Sequence, residues 1–113
     1  MVKKMVVLVP YNLSEIQKGI QAAHAIAEYG FYHPTDKYCE WVTDYKTIII
    51  LNGGTTGTNS TMNQYMVDLD KLGVTYKVFQ EPDLNDAITG IAFIVDTEED
   101  SHIDGYLRQF KLA

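Results

Sequence analysis

"YKVFQEPDLNDAITGIAFIV", residues 76–95, decides the fold. Its opening, part of "TYKVFQEP", alternates apolar and polar residues and reads as a strand. Pro82 ends it, because proline cannot donate to a ladder. "DLNDAI" is made of turn residues and reads as a loop. "TGIAFIVDT" is a continuous apolar run, which suits a strand buried on both sides. The link from roughly Pro82 to Ile88 is far shorter than the dozen or so residues that a parallel crossover requires. These two strands must therefore be adjacent and antiparallel.

Further out, "KMVVLVP" (4–10) and "KTIIILNGG" (46–54) are two more valine- and isoleucine-rich runs that read as buried strands. Strands at 4–10, 47–52 and 90–96 are expected at the centre of the sheet. Between them a helix runs from Ser14, as N-cap, to about Tyr29, with Gly30 as its stop. "HPTDKYCEWVTDY" (33–45) restarts after Pro34 with Thr35 or Asp36 as cap, and Tyr38, Val42 and Tyr45 fall on one helical face. "TTGTNS" (55–60) is a loop. The helix after it places Met62, Tyr65, Met66, Leu69 and Leu72 on one side and stops at Gly73. A final helix follows Ser101, with Ile103, Tyr106, Leu107 and Phe110 as its apolar face. The order βα(α)βαββα gives two long helical connections, hence parallel strands joined by right-handed crossovers. The expected fold is α/β: one domain, 1–113, with a four-stranded mixed sheet and helices on both faces, in three layers.

Composition bounds the chemistry. The 113 residues suit one core. The single cysteine, Cys39, excludes an internal disulfide and four-sulfur metal sites, and points to a reducing, cytoplasmic setting. No apolar run approaches the ~18 residues of a membrane span. Residues 1–10 lack a small-residue cleavage site and read as a strand rather than a signal. A net charge of -6 and a pI near 4.8 argue against tight non-specific nucleic-acid binding.

Two polar constellations stand out. In "QKGIQAAHAIAEYG" (17–30), Gln17, Gln21, His24 and Glu28 form one polar stripe at helical spacing, with Ile16, Ile20, Ala23 and Ala27 beside it and expected to face the sheet. His24 is either a half-buried histidine bonded to Glu28 or Gln21, or a side chain held up to a site. The second constellation is Glu81 at a strand end, followed by Asp83, Asn85, Asp86 and Thr89; it is either a polar connection or a cluster of donors and acceptors for an ester or ribose. "NGGTTGT" (52–58) lacks a P-loop ending and the dinucleotide spacing, leaving weak anion binding at a helix start. His33, His102 and Cys39 have no metal-ligand spacing, and no serine sits in a nucleophile elbow. Neither metal nor cofactor is expected.

Taken together, "KMVVLVP", "QAAHA", "KTIIILN" and "YKVFQEPDLNDAITGIAFIV" resemble the type II peptidyl-tRNA hydrolases, and a divergent branch of that superfamily more than its core. The resemblance spans nearly the whole chain. It implies hydrolysis of the ester that joins a peptide to the 3′ end of tRNA, or of a related acyl-nucleotide. His24 matches the family's helix histidine. Glu81 stands where the family has aspartate and Asn85 where it has threonine, and Thr89 matches a second threonine if the loop is shortened. These four are the catalytic residues that the resemblance implies, with Gln17, Lys18, Gln21 and Asp83 binding substrate. The family's helix lysine falls at Gln17, with Lys18 about 100° round the helix. The family's loop arginine falls at Leu84. The implied partners are the acceptor end of tRNA, reached by Lys18, Lys37 or Lys46, and a second copy of the chain in a homodimer. The competing reading is a module that has kept the cleft and lost turnover, gripping an RNA end, a nucleotide or a protein; a third is an interaction protein with a tyrosine-rich surface.

Overall fold

A computed structural model describes residues 2–57 and 60–113, so Thr58 and Asn59 of the expected loop lie outside the described residues. Strands β3 (Tyr76–Glu81) and β4 (Ala87–Asp96) are antiparallel neighbours, joined by a 3-10 turn at Pro82–Leu84. Asn85 and Asp86 complete the reversal at φ 54° and 58°. Their short polar side chains tolerate this left-handed conformation better than other residues with a Cβ.

Strand β1 (Lys3–Pro10) is antiparallel to β4 on one side and parallel to β2 (Ile48–Gly54) on the other, giving the order β2-β1-β4-β3. Thus β1, β2 and β3 run one way and β4 the other. Helix α1 (Glu15–Tyr32) carries the first crossover and α3 (Thr61–Lys71) the second. Between α1 and β2, α2 (Asp36–Glu40) continues as a π-helical turn at Trp41–Tyr45. A 3-10 turn at Ser101–Ile103 leads into α4 (Asp104–Leu107).

The sheet separates two apolar layers, as its alternating side chains require. Met5, Val7, Val9, Ala92 and Ile94 pack under α1 with Ala22, Ala25, Tyr29 and Trp41. Val6, Leu8, Ile91, Phe93 and Val95 pack under α3 with Met62 and Leu69. β1 and β4 are buried on both faces, as their unbroken apolar runs predict. The fold is the expected three-layer α/β domain.

Five local expectations need correction. The run at 47–52 is not central: β2 is an edge strand, with Ile48 50% exposed. The C-terminal tail covers its outer side, where Asn52 N donates to Lys111 O at 2.8 Å and Ala113 N to Ile50 O at 3.0 Å. The second correction is to α1, which buries Gln21, Ala22, Ala25 and Tyr29 and leaves Ile16, Ile20, Ala23 and Ala27 exposed. Close approach explains the choice. A Cβ on Gly90 would lie 3.0 Å from both Ala25 Cβ and Gln21 O, a spacing that isoleucines on this face would prevent. Third, Gly30 lies inside α1, which runs on to Tyr32; its missing Cβ leaves room for the Tyr38 ring. Fourth, the last helix is a single α-turn. The π-helical turn likewise shifts the phase of 36–45, so Trp41 is buried, its Nε1 donating to Thr47 O at 2.7 Å, while Val42 is exposed.

Candidate functional site

The site begins with an irregularity in β4. Phe79 pairs with Gly90 but Gln80 pairs with Ile88, so Thr89 is an extra residue in the ladder. Such a bulge turns two consecutive residues to one side of the sheet. Thr89 and Gly90 both face α1: Gly90 admits the helix backbone, and Thr89 Oγ1 donates to Gln21 Oε1 at 2.5 Å. Both partners are almost wholly buried, Thr89 at 0% and Gln21 at 4% exposed. With its oxygen held by the hydroxyl, Gln21 presents its amide N–H groups, one of which donates to Gln17 Oε1 at 3.4 Å. Ser14 caps the helix beneath, its Oγ accepting from Gln17 N at 3.2 Å.

Gln17 and Gln21 form one wall of a cleft of about 310 Å³, and Glu81, Asp83 and Leu84 form the other, with Leu13 at the end. Rigid elements position Glu81: it closes β3, and its carbonyl accepts from Asp86 N at 3.0 Å. The cleft thus sets two carboxylates against two amides at the carboxyl end of a strand, where sites in open α/β sheets gather.

His24 lies outside the lining of this cleft. Its ring, one helical turn beyond Gln21, stacks on Phe79 at 4.5 Å with an interplanar angle of 6°. Phe79 and Glu81 are alternate residues of β3 on the α1 side, so His24 and Glu81 share a face of the sheet. Glu28, the bonding partner expected for a merely structural histidine, instead approaches Lys77 Nζ at 4.0 Å. Asn85 points elsewhere. It lines a second concavity of about 470 Å³ with Gly57, Asn63 and Gln80. Lys18 is largely covered and pairs with Glu15 at 3.8 Å. The structure therefore brings Gln17, Gln21, Thr89, Glu81 and Asp83 together, sets His24 beside them, and separates Asn85.

The first four N–H groups of α3 are all taken within the chain. Thr61 N and Met62 N are taken by Thr55, and Asn63 N and Gln64 N by Ser60. Among the described residues no group of three His, Cys, Asp or Glu side chains could hold a metal ion, and no helix is long and apolar enough to cross a membrane.

Sequence reasoning missed Phe79 as the platform for His24, and Leu13 as the end of the cleft. The bulge left a trace, the Thr-Gly pair inside an apolar run, since glycine in a strand often marks a bulge or a close backbone approach. No family model and no curated protein sequence matches the chain.

Proposed function

We propose that the protein hydrolyses the ester joining a peptide to the 3′ end of tRNA, or a related acyl-nucleotide ester, as its resemblance to the type II peptidyl-tRNA hydrolases implies. The observation that carries this reading is the cleft in which Glu81 lies across from Gln21, whose amide is fixed by the buried Thr89. In this reaction the Glu81 carboxylate takes a proton from water as it attacks the ester carbonyl, and returns it to the ribose oxygen as the acyl C–O bond breaks. A Gln21 N–H donates to the carbonyl oxygen as it gains negative charge. Thr89 is a positioning residue acting through Gln21, and Gln17 steadies the same amide. Asp83 accepts from a ribose hydroxyl, and Lys18 reaches a phosphate only by leaving Glu15. His24, exposed on Phe79, orients the leaving ribose oxygen, while Asn85 shapes the turn that carries Asp83. No covalent intermediate is needed, in keeping with a cleft that has no serine or cysteine among the described residues of its lining. The proposal includes a cytoplasmic setting, the acceptor end of tRNA as partner, and a homodimer.

The test is hydrolysis of a defined peptidyl-tRNA. Glu81→Gln and His24→Ala should each lower kcat/KM by about 10²-fold or more. Thermal midpoints should change little, since neither side chain belongs to the core and His24→Ala loses only its stack on Phe79. No wild-type turnover above buffer would overturn the proposal.

One observation favours a second reading, a binding module without turnover. Among its described residues the cleft lining carries two carboxylates and no cation, with Gln17 where the family that the chain resembles has lysine. On that reading the same substitutions abolish ligand binding while turnover is absent throughout.

A further inference from the structure

The chain treats the two edges of its sheet differently. Its own tail closes the β2 edge, through the backbone bonds from Asn52 and Ala113 and a bridge between Leu51 and Leu112. The β3 edge is open: among the described residues no strand or bridge lies beyond it. Open edges are ordinarily blunted by proline, a bulge or a projecting charge. None of these protects β3. Pro82 comes only after the strand, the bulge belongs to β4, and Lys77 is folded back onto α1. Lys77 Nζ lies 4.0 Å from the centre of the Tyr32 ring and 4.0 Å from Glu28 Oε1. A shallow groove of about 580 Å³ follows this edge along residues 74–78, walled by Tyr32 and His33 from the end of α1 and by Met66 and Asp70 from α3.

We propose that this edge receives the peptide part of the substrate as an added fifth strand, parallel to β3, with its C-terminal carbonyl delivered to Glu81. The inference rests on the hydrolase reading above. Strand addition recognises backbone rather than side chains, which suits a ligand whose sequence varies from one substrate molecule to the next. Direction follows from chemistry. The ester carbonyl ends the peptide, and Glu81 ends β3, so the two chains run the same way. Tyr76 and Val78 in the groove precede Glu81 by five and three residues, or about 10–16 Å at ~3.3 Å per residue. A peptide of about five residues fills that reach.

The experiment is a titration of the backbone amide NMR signals with an acetyl-capped, C-terminally amidated pentapeptide of alanine and valine. The same peptide N-methylated at alternate residues serves as control, and hydrolysis is measured in parallel on peptidyl-tRNAs carrying one to six residues. The amides of residues 75–81 should shift with the first peptide and not with the second. KM should fall by about 10-fold from one residue to five and then level, as two or so added backbone hydrogen bonds imply. Unmoved β3 amides, or equal shifts with the N-methylated peptide, would overturn the inference. So would shifts of the same amides with protein concentration alone, which would give the edge to a second copy. Turnover that ignores peptide length would also overturn it and leave the hydrolase reading standing. Turnover absent at every length would overturn the hydrolase reading, and the titration alone would then decide the edge.

Discussion

Gln21 is a buried amide in an otherwise apolar face of α1, and its oxygen depends on one hydroxyl. Thr89→Val keeps the shape and removes that donor, so Gln21 Oε1 is left buried without a partner. The cost should be about 1–3 kcal/mol in denaturant unfolding. If Thr89 acts by positioning Gln21, kcat should fall more than KM rises, and Thr89→Ser should restore both stability and rate. A stable Thr89→Val variant with full activity would remove Thr89 and Gln21 from the mechanism together. Asp96, at the other end of β4, makes a different residue-scale prediction. It is 1% exposed, and its Oδ1 accepts from the N–H groups of Glu98 at 2.9 Å and Glu99 at 3.1 Å. Lys3 Nζ lies 3.2 Å from the other oxygen. Those backbone donors first, and then Lys3, hold its carboxyl at about 2, below the ordinary 3.8. A depressed folded-state value means that the unfolded chain takes up the proton first. The stabilisation is therefore complete above about pH 4 and is lost as the pH falls toward 2. Urea midpoints at pH 5 and pH 2.5 should differ less in Asp96→Asn than in the wild type.

At the scale of elements, two glycines set how closely α1 approaches its neighbours, and they should respond differently to alanine. At Gly90 a Cβ meets Gln21 O, part of the helix backbone, at 3.0 Å. The helix backbone must give by a few tenths of an ångström to admit it, so Gly90→Ala should cost about 1–3 kcal/mol and disturb Gln21. At Gly30 the obstacle is the far end of the Tyr38 ring, which can swing aside. Alanine there also gains about 0.5–1 kcal/mol of helix preference. Gly30→Ala should therefore lower the thermal midpoint less, and the reverse order would refute this account of how α1 is seated. The same geometry explains what could be read from sequence. The short link at 82–88 makes the antiparallel pair inescapable, and the apolar runs at 4–10 and 90–96 identify the two central strands. "TIIIL" could not reveal that β2 lies at an edge, because a run of that kind is equally suited to a centre or to an edge covered by a distant tail. The buried face of α1 was illegible for a related reason. Both candidate faces carry apolar residues, and the choice depends on Gly90, more than sixty positions away. Gln17, Gln21, Glu81 and Asp83 stood in the two polar constellations and line one cleft; the Phe79 platform beneath His24 exists only once β3 is set against α1.

For the whole molecule, charge decides how strongly any nucleic acid can be held. The chain has eight lysines, one arginine and a net charge of -6. Four of those lysines are already engaged with the chain's own carboxylates: Lys3 with Glu40 and Asp96, Lys18 with Glu15, Lys37 with Asp100 and Lys77 with Glu28. Of the three expected at the tRNA, Lys18, Lys37 and Lys46, only Lys46 has no ion pair among the described residues. The Lys37–Asp100 pair is short, at 2.7 Å, and partly covered, so phosphate would have to displace a good partner. Each neutralised phosphate adds about 0.7 to 0.9 to the slope of log affinity against log salt. Three candidate lysines among nine cations give a slope on the order of -2 to -4; with Lys18 and Lys37 paired and partly covered, it should be shallower, at about -1. Lys46→Ala should flatten it by about 1 and Lys37→Ala should leave it unchanged. An equal loss in both variants would mean that the Lys37–Asp100 pair opens when tRNA binds. A slope steeper than about -4 would mean that the basic surface is larger than these pairings allow.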